Sequence, residues 1–303
     1  MDLLALNRVF GGVVFAFGLI FGSFLNVCIY RMPRGLSVVS PRSACPTCGK
    51  QIAAYDNIPV LSWLLLRGRC RACHTRITPR YMIVELLLGL LFLACFAEFG
   101  LRVETLKWCT FSFLLLGLVF TDAETHLLPD KLTLPGLALG IAWSLLVAVP
   151  GPLGFYYDRS ASPAPLLSLG DALIGAAVGA GFIYGTAAIY LRLRGAEGMG
   201  MGDVKLMAMV GAFLGAALTL FVLITASDLG GFYGAMIVLN IFRKRLSRYR
   251  RGPNRSSPVA RAWRAASLSL RYYEMPFGVL LGSTALFALF AGQPILLWYL
   301  ARF

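Results

Sequence analysis

The sequence predicts an all-α polytopic membrane protein with about eight transmembrane helices, and three observations predict it. Of its 303 residues 58% are hydrophobic and only 14% charged, with mean hydropathy +0.73, where an average soluble domain carries roughly 25% charged residues. Apolar windows long enough to cross a hydrocarbon core recur at about 9–30, 81–99, 105–121, 132–150, 170–191, 205–225, 227–242 and 277–301. The basic residues are also segregated. If residues 31–80, 122–131, 192–205 and 243–274 share one side, that side holds 23 of the 28 Lys and Arg, leaving Arg8, Arg102, Lys107, Arg159 and Arg302 opposite. This asymmetry assigns the rich side to the cytoplasm and, with eight spans, both ends to the outside. The net charge of +14 therefore reports orientation and contact with anionic membrane lipids, and argues against nucleic acid as a partner.

Residues 1–30 form the first transmembrane helix. Its apolar stretch is too long for a signal peptide and lacks a small-residue cleavage pattern, so it reads as a retained anchor. Residues 31–80 form a cytoplasmic loop punctuated by Pro33, Pro41, Pro46, Pro59 and Pro79. Four of the seven cysteines fall there as "CPTC" (Cys45, Cys48) and "CRAC" (Cys70, Cys73), a Cys-x2-Cys-x21-Cys-x2-Cys pattern. Each tight turn presents two sulfurs, and two turns complete a tetrahedral thiolate site for zinc, although the spacer slightly exceeds the usual range. Two disulfides are the alternative, disfavoured in a reducing cytoplasm. Four thiolates leave no open coordination position, so such a zinc is structural. Cys28, Cys95 and Cys109 sit in or beside apolar spans and read as small buried hydrophobes.

Residues 81–303 make up the remaining membrane domain. Glu85 lies one turn into the second span, within reach of Arg80. The third span ends at the cytoplasmic side with Asp122, Glu124, His126 and Asp130. Residues 151–169 read as an external linker. Ser227 and Asp228 separate the sixth and seventh windows, which assigns Asp228 to an outer turn. The loop 243–274 has ten basic residues interleaved with Trp and Tyr and no acid before Glu274, the pattern of an amphipathic interfacial helix.

The fifth span runs inward and the chain returns through "RLRGAEGMGMGDVKL", so Asp203 meets the membrane at the same face as Asp122. Two close carboxylates do not both ionise easily; one keeps a proton while the other is a base for water. Gly200 and Gly202 leave the approach to Asp203 without Cβ atoms, as a substrate main chain requires. Helix capping is an equal reading for Asp203 and a better one for Asp130. Lys205 either snorkels to headgroups or tunes the aspartate's charge, and Glu124 and His126 fit a solvated surface.

The stretches "FGSFLNVCIYRMPRG", "CPTCGKQI" with "LRGRCRACHTRI", "TPRYMIVELLLG", "TDAETHLLPD", "GMGMGDVKLMAMVGAFLG" and "MPFGVLLG" occur in that order. Together they resemble the type IV prepilin peptidases, bifunctional leader peptidase/N-methyltransferases of bacterial pilus and type II secretion systems. The resemblance implies an aspartyl protease of the bacterial inner membrane that needs no metal for cleavage. It would cut the basic leader from prepilins and pseudopilins at the cytoplasmic face, with Asp122 and Asp203 as catalytic aspartates. Glu124, where the family often has Asp, and Asp130 are expected as supporting groups, beside Gly200, Gly202 and Lys205. The family methylates the new N-terminus with S-adenosylmethionine, and Gly68 is the residue carried over to that activity. Gly68 also reads as a turn glycine of the cysteine module. With no soluble-type Gly-x-Gly-x-x-Gly signature, methylation rests on the resemblance alone. Thr78 stands where the family more often has Ser, and the 243–274 loop is longer and more basic than the family's.

Two other classes compete. A proton-coupled transporter needs acids across the depth of the bilayer and preferably an internal repeat; here the carboxylates lie mainly at one face and no repeat is evident. A non-catalytic zinc-stabilised scaffold of a secretion or pilus complex needs the cysteines but not Asp122.

Overall fold

The computed structural model describes residues 3–149, 165–195, 200–250, 257–271 and 276–302. Its elements are α1 (Leu3–Arg31), the short α2 (Leu61–Leu65), α3 (Arg80–Phe99), α4 (Val103–Thr125), α5 (Asp130–Ser144), α6 (Pro165–Arg194), α7 (Met201–Arg250) and α8 (Pro258–Arg271). The last helical stretch comprises α9 (Phe277–Phe287), a π-helical turn (Ala288–Gly292) and α10 (Gln293–Leu300). The only β pairings among the described residues are two isolated bridges in the cysteine module, Ala44 with Gln51 and Arg69 with Arg76.

Six of these helices are long and apolar enough to cross a membrane: Leu6–Arg31, Arg80–Phe99, Val103–Thr125, Pro165–Leu193, Met201–Tyr249 and Phe277–Tyr299. Three of the eight expected windows take a form other than a separate long helix. The window at 132–150 yields only the 15-residue α5, about 22 Å long, shorter than a hydrocarbon core of about 30 Å. The windows at 205–225 and 227–242 belong to α7, and the break falls at Gly215 (φ 76°, ψ 173°), not at Ser227–Asp228. Asp228 is accordingly an exposed helical residue and not part of a turn.

The break at Gly215 reverses the chain. Gly179 of α6 touches both Met207 and Thr219, which an unbroken helix would separate by about 18 Å of axial rise. The vertex needs glycine on two counts. Its φ lies in the region that other residues rarely adopt, and Gly175 lies directly against Gly211 and Gly215. α7 is thus a short inward limb, 201–214, and a long limb, 216–250, both packed on α6.

Elsewhere, too, small residues let helix backbones approach, as expected where lipid supplies no hydrophobic drive for association. A Cβ on Gly18 of α1 would lie 2.7 Å from the Gly89 Cα of α3, and one on Gly22 would lie 2.7 Å from the Glu85 Cα. The core between helices is fully apolar at Leu25, Phe111, Leu115, Met209 and Phe213, with the Phe111 and Phe213 ring centroids 4.9 Å apart.

The basic 243–274 segment divides into the end of α7 and the amphipathic α8. Ala262 and Ala266 are buried, Trp263 meets Phe242 of α7 edge-on at 5.9 Å, and the Arg261 guanidinium lies 4.8 Å from the Tyr249 ring. This helix therefore docks on the extension of α7 as well as presenting an exposed face with Val259 and Leu268. Most of the expected 151–169 linker lies outside the described residues.

Candidate active site

Asp122 lies in the last turn of α4 and is buried at 6% exposure. His126 ends that helix in the left-handed conformation, its N–H donating to the Asp122 carbonyl. The turn brings Leu128 under the helix, and Pro129 then leads into α5. From the other side, Gly278 of α9 sits so close that a Cβ would lie 2.8 Å from Asp122 Oδ2. The Val279 N–H donates to that same oxygen at 2.9 Å. The first turn of α9 therefore holds one carboxylate oxygen through the Val279 N–H, which also lies 3.2 Å from the Pro276 carbonyl.

Asp203 lies in the first turn of α7, half-buried. It is inside the helix and not its cap, since the helix begins at Met201. Leu128 ties it to Asp122: the Leu128 side chain touches both Gly202 and Gly278. Asp203 directly follows Gly202, so both acids lie around the Leu128 side chain. Among the described residues nothing hydrogen-bonds the Asp203 carboxylate, so one acid is fixed by a backbone amide and its neighbour is free to engage a water or a substrate. The arrangement suits acid–base hydrolysis by a carboxylate pair.

The surrounding expected residues separate into three kinds. Glu124 is paired with Arg80 at 2.7 Å, so Arg80 takes Glu124 and not the nearer-in-sequence Glu85. Lys205 pairs with Asp130 at 2.7 Å, tying the first turn of α7 to the first turn of α5. Asp130 is the first residue of α5 and makes no side-chain cap. Gly200 faces open space, whereas a Cβ on Gly202 would press on Leu128 Cβ at 3.0 Å. At Gly202, then, the missing side chain makes room for Leu128 and not for a substrate. The Val279 amide is a feature that residue-type reasoning missed, because a backbone donor has no side-chain signature; Pro276 at the helix start was its sequence signal.

The cysteine module is two copies of one turn. Gly49 and His74, both at positive φ, donate their N–H groups to the Cys45 and Cys70 carbonyls, and the Cys45 and Cys70 N–H groups donate to Lys50 and Thr75. The four Sγ atoms lie within 4.8 Å of one another, and Cys45 and Cys73 are 3.7 Å apart. A tetrahedral site with metal–sulfur distances of about 2.3 Å has edges of about 3.8 Å. All four cysteines are free of disulfides. Hydrogen bonding to Thr75 holds the Cys73 thiol down at about 6. The Cys48 thiol, despite a lowering backbone bond from Lys50, is pushed up to about 11 by burial and by Cys73 and Cys45. Four clustered sulfurs resist becoming anionic together, and a cation relieves this. The module suits a metal. Asp56 and Arg71 clamp it with contacts of 2.8 and 2.6 Å.

Gly68 belongs to the cysteine module. It has φ +63°, and a Cβ there would lie 2.7 Å from the Trp63 ring. Glu85, buried at 8% exposure, accepts a hydrogen bond from the Val60 N–H at 2.8 Å.

Residues 16–99 match the family described as Bacterial Peptidase A24 N-terminal domain, and residues 108–235 match the Type IV leader peptidase family. A prepilin leader peptidase/N-methyltransferase of Aeromonas hydrophila is 36% identical over 315 residues, covering 96% of this chain and 94% of that protein. A protein of the same name from Myxococcus xanthus (strain DK1622) is 42% identical over 233 residues, 76% of this chain and 64% of its own length. One from Neisseria gonorrhoeae is 37% identical over 245 residues, covering 73% and 79%. No solved structure matches the chain.

Proposed function

Because the chain belongs to the type IV leader peptidase family, we propose that it removes the basic leader from prepilins and pseudopilins and N-methylates the exposed N-terminus. The observation that supports the peptidase reading is that Asp122, held by the first turn of α9, and Asp203, next to Gly202, both lie around Leu128. One carboxylate accepts a proton from water as it attacks the scissile carbonyl. The other, protonated, polarises that carbonyl and then protonates the leaving amine. Val279 N–H keeps Asp122 oriented through these steps, and the Lys205–Asp130 and Arg80–Glu124 pairs hold α7 and α3 around the dyad.

The basic asymmetry of the loops supports a reading in which this face lies in the cytoplasm at a bacterial inner membrane, where pilus or type II secretion machinery supplies the substrates and lipids surround the helices. The four cysteines would hold zinc, whose contribution is to fix the shape of residues 45–73; no step of cleavage passes through it. S-adenosylmethionine would supply the methyl group. Co-expression with a prepilin, followed by mass spectrometry of its N-terminus, reports cleavage and methylation in one spectrum. A leader left intact by the wild-type chain ends this reading.

A further inference from the structure

The short helix α2 sits in a hydrophilic loop outside every span, yet its sequence LSWLL turns three leucines outward. Ser62 is buried, its hydroxyl accepting the Ile58 N–H at 3.0 Å and donating to the Tyr55 carbonyl at 3.1 Å. Trp63 is tied by its Nε1–H to the Ile77 carbonyl at 3.3 Å. The remaining arc, spaced i, i+3 and i+4, is Leu61, Leu64 and Leu65, all exposed, Leu65 at 82%. Ile58, exposed just ahead of the helix, extends the patch. Clustered exposed apolar side chains of this kind mark a contact surface.

Depth says what the surface meets. The Val60 N–H, at the start of α2, donates to Glu85 Oε2 at 2.8 Å. Glu85 lies about 7.5 Å of rise past the start of α3, inside the span Arg80–Phe99. Its backbone packs on Gly22 of α1, about 13.5 Å of rise before that helix ends at Arg31. The start of α2 is therefore anchored to a residue below the inner ends of two spanning helices, and its leucines face lipid there. The turn that ends α2, with Arg67 at φ 51° and Gly68 at φ 63°, leads into a pocket of about 440 Å³ lined by Leu65, Arg67, Arg69, Arg71 and His74. Asp56 occupies Arg71. Among the described residues no carboxylate pairs with the exposed Arg67 or Arg69.

We propose that α2 and this pocket form a binding site for an anionic phospholipid of the inner leaflet, with Leu61, Leu64 and Leu65 among its acyl chains and Arg67 and Arg69 on its phosphate. Guanidinium groups match phosphate oxygens in pairs, and the cytoplasmic leaflet supplies the negative headgroups. Leu65 belongs to both the apolar patch and the basic pocket, so one amphiphile satisfies the two at once. An acidic protein would answer the arginines but leave the leucines without an apolar partner. The contact moors the cysteine module to the bilayer at an edge remote in sequence from its links to α1 and α3. The inference goes beyond the peptidase reading and shares with it only the cytoplasmic placement of this face.

The test uses Leu65→Trp in the full, zinc-loaded chain, placed in nanodiscs of mixed phosphatidylglycerol and phosphatidylcholine with bromines on the acyl chains of one lipid or the other. Emission beyond that of the wild-type tryptophans should be quenched by both lipids, with phosphatidylglycerol enriched about tenfold at the probe. Adding Arg67→Gln and Arg69→Gln should abolish the enrichment and leave the quenching by bulk lipid. Arg67→Lys with Arg69→Lys should keep the enrichment, since the charge remains. Unquenched emission overturns the proposal, because the face then lies in water or awaits a protein. Equal quenching by the two lipids overturns it too, as does an enrichment that survives the glutamine pair or is lost in the lysine pair. Enrichment abolished by inorganic phosphate but not by chloride of equal ionic strength would mark a free-anion site and likewise overturn it. Prepilin cleavage on the same discs keeps the readings apart: a chain that cleaves with its probe unquenched sinks only this proposal, and one that enriches the lipid without cleaving sinks only the peptidase reading.

Discussion

Replacing Gly278 by Ala tests the coupling of α9 to the dyad. The new methyl would fall 2.8 Å from Asp122 Oδ2, 2.9 Å from its Cγ and 3.3 Å from Leu128 Cδ1. Two of these atoms are the end of a side chain that can rotate, so the cheap response is for the carboxylate to swing away, not for the helices to part. That motion breaks the Val279 N–H bond to Oδ2. A hydrogen bond to a charged group is worth about 1.5–3 kcal/mol, which corresponds to a fall of about 10–150-fold in cleavage rate if it is needed in the transition state. Stability should change by about 1 kcal/mol or less, since no buried apolar contact is deleted. The assay is cleavage of a purified prepilin by detergent-solubilised enzyme, with thermal unfolding followed in parallel. Gly12→Ala, where a Cβ meets nothing within 4 Å, is the control and should match wild type in both. A Gly278→Ala enzyme cleaving at the wild-type rate would refute the claim that the first turn of α9 orients Asp122.

Other expectations follow from the same geometry. The wild-type chain should carry one zinc by elemental analysis, and Cys45→Ser should lose it and lower the unfolding temperature while Asp122→Asn retains it. The Lys205–Asp130 pair is 32% and 57% exposed, so Lys205→Met should cost at most about 1 kcal/mol of stability, and combining it with Asp130→Asn should add little further. Arg71 holds the Asp56 carboxyl below its ordinary value of 3.8 by hydrogen bonding and charge. A depressed folded pKa gives stability that is complete above the ordinary value and is lost as pH falls through the lower one. Acid loosening of the module, followed by tryptophan fluorescence, should therefore begin below pH 3.8 and be displaced in Asp56→Asn.

The cysteine pairs and the two aspartates were legible because their signals are local or statistical: thiol pairs at fixed spacing, and charges segregated by a bilayer that penalises them. The break at Gly215 was not. Gly211, Gly215, Gly230 and Gly231 are all glycines of one apolar stretch, and only the crossing with Gly175 decides which of them leaves the helix. Arg80 was assigned to Glu85 by proximity along the chain, yet Glu124, forty-four positions away, meets it at the membrane face. Glu85 is turned instead toward Val60. Gly202 shows the same limit: its sequence context suggested space for a substrate, but the space is taken by Leu128, whose position depends on the turn between α4 and α5.

The most direct test of the account is Asp203→Asn, an isosteric change at the carboxylate that makes no hydrogen bond among the described residues. Intact-mass analysis of a prepilin incubated with the purified variant should show the leader still attached, while zinc content and S-adenosylmethionine binding match wild type. A processed pilin of normal mass, formed at the wild-type rate, would contradict the two-aspartate mechanism outright.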